Sequence, residues 1–368
     1  MSNNFFLGPK LGQKIIKVFR LYGLAKSFFP LSQRRQNSIF LDLRCRLYNE
    51  FWRNAAKAVD AYIEDTGYGY LKITKNGHWT LVRNAEVMLD DHLTCNVTGN
   101  KPFINHFLDE RGYPTPHFLE FDLTSLDKAH VFLTNLKGNA VVKPAYGGFA
   151  GRGVTTRIST FAQLKRAAYR ATCYCKKILI EQEIRGHSYR LLFLDGEFID
   201  AVRRDPPTIV GDGLTNIKEL IKRENNNREV NEPITALWPL SIDLECKITL
   251  YEQGLRLQDV PSSGQRVVVK YVVNQNNASE NHIVRDNVHS KYIEAGKEIM
   301  LQLGLKLGGI DIMTDDIAFF DNNVGWIVNE VNANPGLHHH MLVNETSERA
   351  TVGEQILQYF FTKKFLCE

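Results

Sequence analysis

Gly308-Gly309-Ile310-Asp311-Ile312-Met313 and, after a turn at Asp321-Asn322-Asn323, Trp326-Ile327-Val328-Asn329-Glu330-Val331-Asn332-Ala333-Asn334-Pro335-Gly336 form the stretch that decides the fold. The first run is apolar with one aspartate inside it. The second alternates, so Glu330 and Asn332 point to the same face of a strand. Pairing the two strands brings three oxygen-bearing side chains together. Magnesium takes hard oxygen ligands, keeps several waters, and is commonly held by one or two carboxylates while phosphates complete its octahedron. Asp311, Glu330 and Asn332 are therefore candidate magnesium ligands beside a nucleotide. The competing reading makes Asp311 a strand-end residue and leaves Glu330 and Asn332 on an exposed face.

A second segment weighs for the nucleotide. Ala140-Val141-Val142-Lys143-Pro144 is a β-type run ending in a lysine, and a loop carrying Gly147, Gly148, Gly151 and Gly153 follows before β-type residues return. Glycine permits positive φ and puts no Cβ in the way, so the amides of such a loop can close over phosphates. Lys143 would add a point charge. No Gly-Lys-Ser/Thr ends the loop and no helix pattern follows it directly, which separates it from a Walker loop. A glycine-rich hairpin turn without a ligand is the alternative.

Further pieces stand in order between these two. They are Asn100-Lys101 ahead of Leu108-Asp109-Glu110-Arg111-Gly112-Tyr113-Pro114-Thr115-Pro116, then Ile178-Leu179-Ile180-Glu181-Gln182-Glu183-Ile184-Arg185-Gly186-His187-Ser188-Tyr189-Arg190. Arg204-Asp205-Pro206 follows, then Gly211-Asp212-Gly213 with Ile217-Lys218-Glu219-Leu220-Ile221. In this order, from about Asn100 to Phe361, the chain resembles the ATP-grasp superfamily, and within it the ATP-grasp domains of cyanophycin synthetase and of the fused glutathione synthetases. The resemblance implies an α/β (α+β) ATP-grasp fold with two sub-domains clasping ATP. The expected division is an N-terminal region over 1–95, a central sub-domain with the glycine-rich lid over 96–180, and a C-terminal sub-domain with the metal and substrate site over 181–368.

Carried over by that resemblance, Lys101 and Lys143 contact ATP phosphates, and Gly147, Gly148, Gly151 and Gly153 form the lid. Glu181, Gln182, Glu183 and Ile184 form the hinge that holds adenine, delivered by the apolar run before it. Arg190 and Arg204 take the place of the family's arginines near the transferred phosphoryl group and substrate. Guanidinium suits that post, since it stays charged and clamps phosphate in a fork. Two departures stand out. Ser188 occupies a position where many members carry an acid for the ribose, leaving Glu183 or another side chain to that work. The family's Asn-x-Ser-x-Gly-Gly segment appears as Asn274-Gln275-Asn276-Asn277-Ala278-Ser279-Glu280-Asn281, without the glycines. His289, after Asp286-Asn287-Val288, matches the family's downstream histidine. Arg285, Arg349 and His338 are further candidates for a carboxylate or peptide substrate. A three-histidine metal site at His338-His339-His340 is disfavoured, because adjacent residues cannot all point at one metal from a regular element.

Length and composition fit this reading. A chain of 368 residues exceeds what one hydrophobic core usually serves, and its 43% hydrophobic content is ordinary for a globular protein. The net charge of +4 is modest and the basic residues are mixed with acids, so nothing calls for nucleic acid. The six cysteines are scattered, and Cys173-Tyr174-Cys175 lacks the two-residue gap of zinc or redox pairs. Reduced thiols in a cytoplasm are the expectation. No run of eighteen or more apolar residues and no signal-peptide order appears.

Residues 10–35 hold Lys10, Lys14, Lys17, Arg20, Lys26, Arg34 and Arg35, and no acid precedes Asp42. Such a basic amphipathic segment can touch an anionic membrane. Docking on its own domain or on a partner subunit is the preferred reading. Leu43 to Ile63 reads as a helix with Leu47, Phe51, Ala55 and Ala58 on one side. Tyr68 to Val82 reads as a hairpin turning at Lys75-Asn76-Gly77. The polar stretches Arg223 to Glu232 and Asn274 to Asn281 read as loops or lid segments.

The resemblance and the site chemistry together imply an ATP-dependent carboxylate–amine ligase acting on amino acids or short peptides through an acylphosphate. It would use ATP and two magnesium ions, with manganese able to substitute, and act as a cytoplasmic homodimer. The alternatives are an ATP-grasp kinase that stops at a phosphorylated small molecule, and a nucleotide-binding regulatory module without turnover.

Overall fold

The computed structural model describes residues 31–147, 151–230, 232–321, 325–344 and 351–362, with side chains from residue 38 onward. Most of the basic segment 10–35, and with it all of its side chains, as well as Gly148, the Asn322-Asn323 turn, Arg349 and Cys367, lie outside what is described.

Helix α1 (Leu31–Ala58) leads into an antiparallel meander of β1 (Tyr62–Asp65), β2 (Leu71–Lys75), β3 (His78–Arg83) and β4 (Glu86–Val87). The β2–β3 turn is made by Asn76 and Gly77, both at positive φ, as a two-residue hairpin requires. The helix ends earlier than the sequence pattern suggests, and Ile63 belongs to β1. Its buried stripe is Phe40, Leu43, Tyr48, Trp52, Ala55 and Ala56, whereas Ala58 is exposed. The two large aromatics set the helix's rotation: Trp52 and Tyr48 are almost wholly buried, and Trp52 Nε1 donates to the carbonyl of Asn84 at 2.8 Å.

Helices α2 (His92–Thr98) and α3 (Lys101–Asp109) come next. A four-stranded sheet follows in the order β5-β8-β6-β7, from β5 (Phe118–Phe121), β6 (Ala140–Pro144), β7 (Thr155–Ile158) and β8 (Ile178–Gln182). Helices α4 (Leu126–Asn135) and α5 (Phe161–Ala171) back it, closing a core around Phe121, Val142, Ile158, Leu164 and Ile180.

A five-stranded antiparallel sheet runs β13-β10-β9-β14-β15, from β9 (His187–Leu194), β10 (Glu197–Arg204), β13 (Asn281–Ile283), β14 (Leu307–Thr314) and β15 (Ile327–Ala333). Between β10 and β13 the chain detours through β11 (Thr208–Val210), α6 (Ile217–Val230), α7 (Leu244–Glu252) and β12 (Arg266–Val268), which share a small core of their own. Arg223 to Glu232, expected as a loop, falls largely in α6. Its polar residues do not disqualify it, because carbonyls satisfy them: Asn225 donates to Leu240 O at 3.0 Å, and Arg228 to Trp238 O at 2.9 Å and Gln275 O at 2.8 Å. Helices α8 (Ser290–Leu303) and α9 (Val352–Thr362) complete the described elements.

The two faces of the five-stranded sheet are buried against different parts of the chain. Leu191 and Phe193 of β9, with Ile310 and Ile312 of β14, pack on α8 and on Ile104 and Leu108 of α3. Leu192, Leu194 and Leu307 face the other way, into one cluster with Tyr48, Trp52, Ile73, Val82 and Ile356. The N-terminal residues therefore have no separate core; they cover one face of the central sheet. On the opposite face Gly296 of α8 lets β9 approach, since a Cβ there would lie 2.3 Å from Phe193 Cζ. Gly296→Ala gains about 1 kcal/mol of helix propensity, but overpacking against a fully buried ring costs roughly 1–3 kcal/mol. The expected outcome is a lower urea midpoint at unchanged slope.

Candidate functional site

The segment between β8 and β9 joins the two large sheets, and a cleft of about 1050 Å³ lies between them. Side-chain alternation aims one set of strand residues into it. Asp311 sits opposite Arg190 on β9 and opposite Glu330 on β15, Arg204 pairs with Ser188, and Asn332 pairs with Gly309. Arg190, sharing its face with Leu192 and Leu194, and Asp311, sharing its face with Leu307, thus extend the apolar face into a charged end.

The charges there are buried and paired. Arg190 grips Asp311 with two parallel hydrogen bonds of 2.7 and 2.8 Å, and Arg204 reaches the same carboxylate at 2.9 Å and donates to Ser188 Oγ at 2.7 Å. Lys101 meets Glu330 at 2.8 Å, and Lys143 meets Glu181 at 2.6 Å. Burial opposes charge on Glu330, yet Lys101, then Lys143 and Arg190, bring its carboxyl down from 4.5 to about 2. Nine lysines and arginines line the cleft against five aspartates and glutamates, so the cleft as a whole favours an anion.

All the candidate ligands Asp311, Glu330 and Asn332 line the cleft from one side. Their oxygens suit magnesium, and the Asn332 amide nitrogen is a buried donor without an acceptor among the described residues. Among the described residues no group of three or more histidines, cysteines, aspartates or glutamates gathers as a metal cage. The three histidines diverge: His338 Nδ1 meets Tyr48 Oη at 3.0 Å, His339 lines the cleft, and His340 Nδ1 turns to Asp200 at 2.7 Å.

Glu181, Gln182, Glu183 and Ile184, expected as the hinge, all line the cleft. The amide of Gln182 donates to His117 O at 2.8 Å and that of Glu183 to Asn139 O at 2.9 Å. This leaves Ile184 with the first amide on the segment without a protein acceptor among the described residues. Val141 and Met313 line the cleft from the two sheets. Glu183 is engaged by Arg157 at 3.2 Å, and burial pushes its carboxyl up.

Of the lid glycines, Gly147 and Gly151 line the cleft, whereas Gly153 backs onto Tyr174, which a Cβ would meet at 2.7 Å. The lid's base is tied down by Gly147 N donating to Gly99 O at 3.0 Å. A Cβ on Gly151 would meet the Asn274 side chain at 2.6 Å, so the polar 274–281 stretch abuts the lid.

Two substrate candidates fall elsewhere. Arg285 is exposed on a 3-10 turn, and His289 caps α8 and stacks on Phe320; neither lines the cleft. Cleft residues that sequence patterning did not single out include Arg44, Arg157 and Trp238, whereas His338 and His339 of the three-histidine run do line it. Arg44 sits four residues before Tyr48 on one helix face, a spacing with meaning only once α1 is known to cover the sheet. Among the described residues no helix is long and apolar enough to cross a membrane.

No protein-family model matches the chain. It is 25% identical over 269 residues, 72% of its length, to cyanophycin synthetase from Crocosphaera subtropica, and 27% identical over 296 residues, 77% of its length, to the glutathione biosynthesis bifunctional protein from Enterococcus faecalis. It spans 30% and 38% of those relatives. The crystal structure of a bifunctional glutathione synthetase from Pasteurella multocida superposes on 82% of the chain with a TM-score of 0.50 at 22% identity, covering 41% of that protein. The ATP-grasp fold implied by the sequence is the fold of the chain.

Glu330 makes a pH prediction. Its depressed pKa contributes stability that is present above the ordinary value of 4.5 and lost as pH falls toward about 2. Lys101→Met removes the first of the groups opposing burial. The Glu330 carboxyl carbon should then titrate at higher pH by NMR, and the acid limb of the unfolding curve should move up with it.

Proposed function

We propose that this ATP-grasp protein is an ATP-dependent carboxylate–amine ligase, joining amino acids or short peptides through an acylphosphate. The observation that carries the proposal is the Arg190–Asp311–Arg204 cluster beside Glu330 and Asn332, on the floor of a cleft also lined by the 181–184 segment and the glycine loop. The amide-forming relatives support it, within the part of their length that the chain spans.

A carboxylate is a poor electrophile until one of its oxygens becomes part of a phosphate leaving group. Lys101 and Lys143 would bind the nucleotide's phosphates as point charges. Asp311, Glu330 and Asn332 would hold magnesium, two ions in the full reading with manganese as a substitute, which neutralises phosphate charge when bound. Arg204 and Arg190 would orient the phosphoryl group and the carboxylate and offset charge as it develops. The hinge would seat adenine through the Ile184 amide between Val141 and Met313. The loop from Gly147 to Gly153 would keep water from the acylphosphate. A homodimer in a cytoplasmic setting completes the proposal, with membrane contact through residues 10–35 the less favoured arrangement for that segment.

The test is magnesium-dependent release of ADP and phosphate, screened over amino acids singly and in pairs with mass spectrometry of the products. Release that needs two substrates, and a product weighing their sum less one water, is the expected result. A phosphorylated product from a single substrate identifies a kinase instead. Glu330→Gln should lower ADP formation by about two orders of magnitude or more while leaving the melting curve nearly unchanged. Full turnover in that variant removes Glu330 from the metal site.

A further inference from the structure

One wall of the cleft draws a residue from outside the span of the ATP-grasp resemblance. Arg44 reaches it from α1, with Trp238 from the loop before α7 and His338 and His339 from the turn after β15. The other deep cations of the cleft are neutralised: Lys101, Lys143, Arg157, Arg190 and Arg204 each have a carboxylate partner. Arg44 has none among the described residues, and its Nε, like those of Arg157 and Arg204, is buried with no hydrogen-bond acceptor among them. A half-buried guanidinium that faces the cleft and has no acid partner among the described residues leaves a charge-assisted donor set open.

The surroundings hold that guanidinium in place. Its carbon lies 5.8 Å from the Tyr48 ring centre and 6.0 Å from that of Trp238. Tyr48 is itself fixed, its hydroxyl meeting His338 Nδ1 at 3.0 Å and accepting from His338 N at 3.1 Å. Burial, with Arg44 next, keeps His338 well below its ordinary value, and burial does the same for His339. Beside the two carboxylate-paired arginines of the floor, Arg190 and Arg204, the wall therefore presents one guanidinium without an acid partner, with an indole next to it and two imidazoles disfavoured in their charged form by burial. That is the complement of a single carboxylate next to a small organic body, and a poor match to a polyphosphate.

We infer that Arg44 binds the spectator carboxylate of an amino-acid or short-peptide substrate, the one that takes no part in amide formation. Trp238, His338 and His339 line the body of that subsite. The inference rests on the ligase reading for which end of the substrate reacts, but Arg44's ligand can be tested by binding alone.

Calorimetric titration of the full chain, with magnesium and a non-hydrolysable ATP analogue present, would use each standard amino acid and its glycyl dipeptide, each against its α-carboxamide. In the wild type at least one free acid should bind, with its carboxamide weaker by about tenfold or more. Arg44→Gln should erase that preference while still binding the analogue, and Arg44→Lys should restore part of it. The inference is overturned if no free acid in the panel binds the wild type, or if Arg44→Gln keeps the acid-over-amide preference. Loss of analogue binding in an Arg44→Gln protein that still melts cooperatively also overturns it, by moving Arg44 to the nucleotide. Should Arg44→Gln not fold, Arg44→Lys and Trp238→Leu carry the same comparison. Failure of the ligase reading looks different: the wild type does not bind the analogue, or it binds free acids without releasing ADP from ATP.

Discussion

Two guanidiniums closing on one aspartate, on three neighbouring strands, set the terms for the rest of the cleft. Removing Arg190, Arg204 and Asp311 from water costs several kcal/mol per ion, and only close geometry returns it. The structure supplies that geometry through strand register, since Asp311 lies directly across from Arg190, and Arg204 follows two pairs further along β10, on the same face. A one-residue slip of any of these strands would turn its own member of the cluster to the apolar face packed on α8, away from its partners. The ionic cluster therefore acts as a lock on register as well as a candidate site. The second tier, Lys101 with Glu330 and Lys143 with Glu181, repeats the device across the cleft. A polyphosphate entering the cleft meets cations already oriented by carboxylates, and an arriving metal would draw those carboxylates away from them.

Much of the architecture could be read before the structure, where local pattern and final environment agree. The alternation at Glu330 and Asn332, the lysine ending β6, the glycine loop and the apolar run into the hinge each report a strand or turn whose own residues dictate it. Legibility stopped where packing partners lie far away in sequence. Arg223 to Glu232 looks like solvent-facing loop by composition, yet Asn225 and Arg228 are buried because distant carbonyls receive them. Arg285 looks like a carboxylate ligand by type, yet a 3-10 turn leaves it exposed. Arg44 and Tyr48 carry no nucleotide-site signal at all, and their place on the cleft wall follows only from α1 lying across the central sheet.

The same helix does two jobs that many enzymes assign to separate parts. Tyr48 and Trp52 fill the core over Leu192, Leu194 and Leu307, while the preceding turn delivers Arg44 to the cleft. Selectivity and foldedness are thereby written on one surface of one element. A lineage changing its substrate through this wall cannot explore freely, because many substitutions that reshape the pocket also disturb the packing that keeps the sheet covered. The N-terminal region should then diversify in a narrow band next to the cleft, at position 44 and its immediate neighbours, while the aromatic anchors one and two turns later stay put.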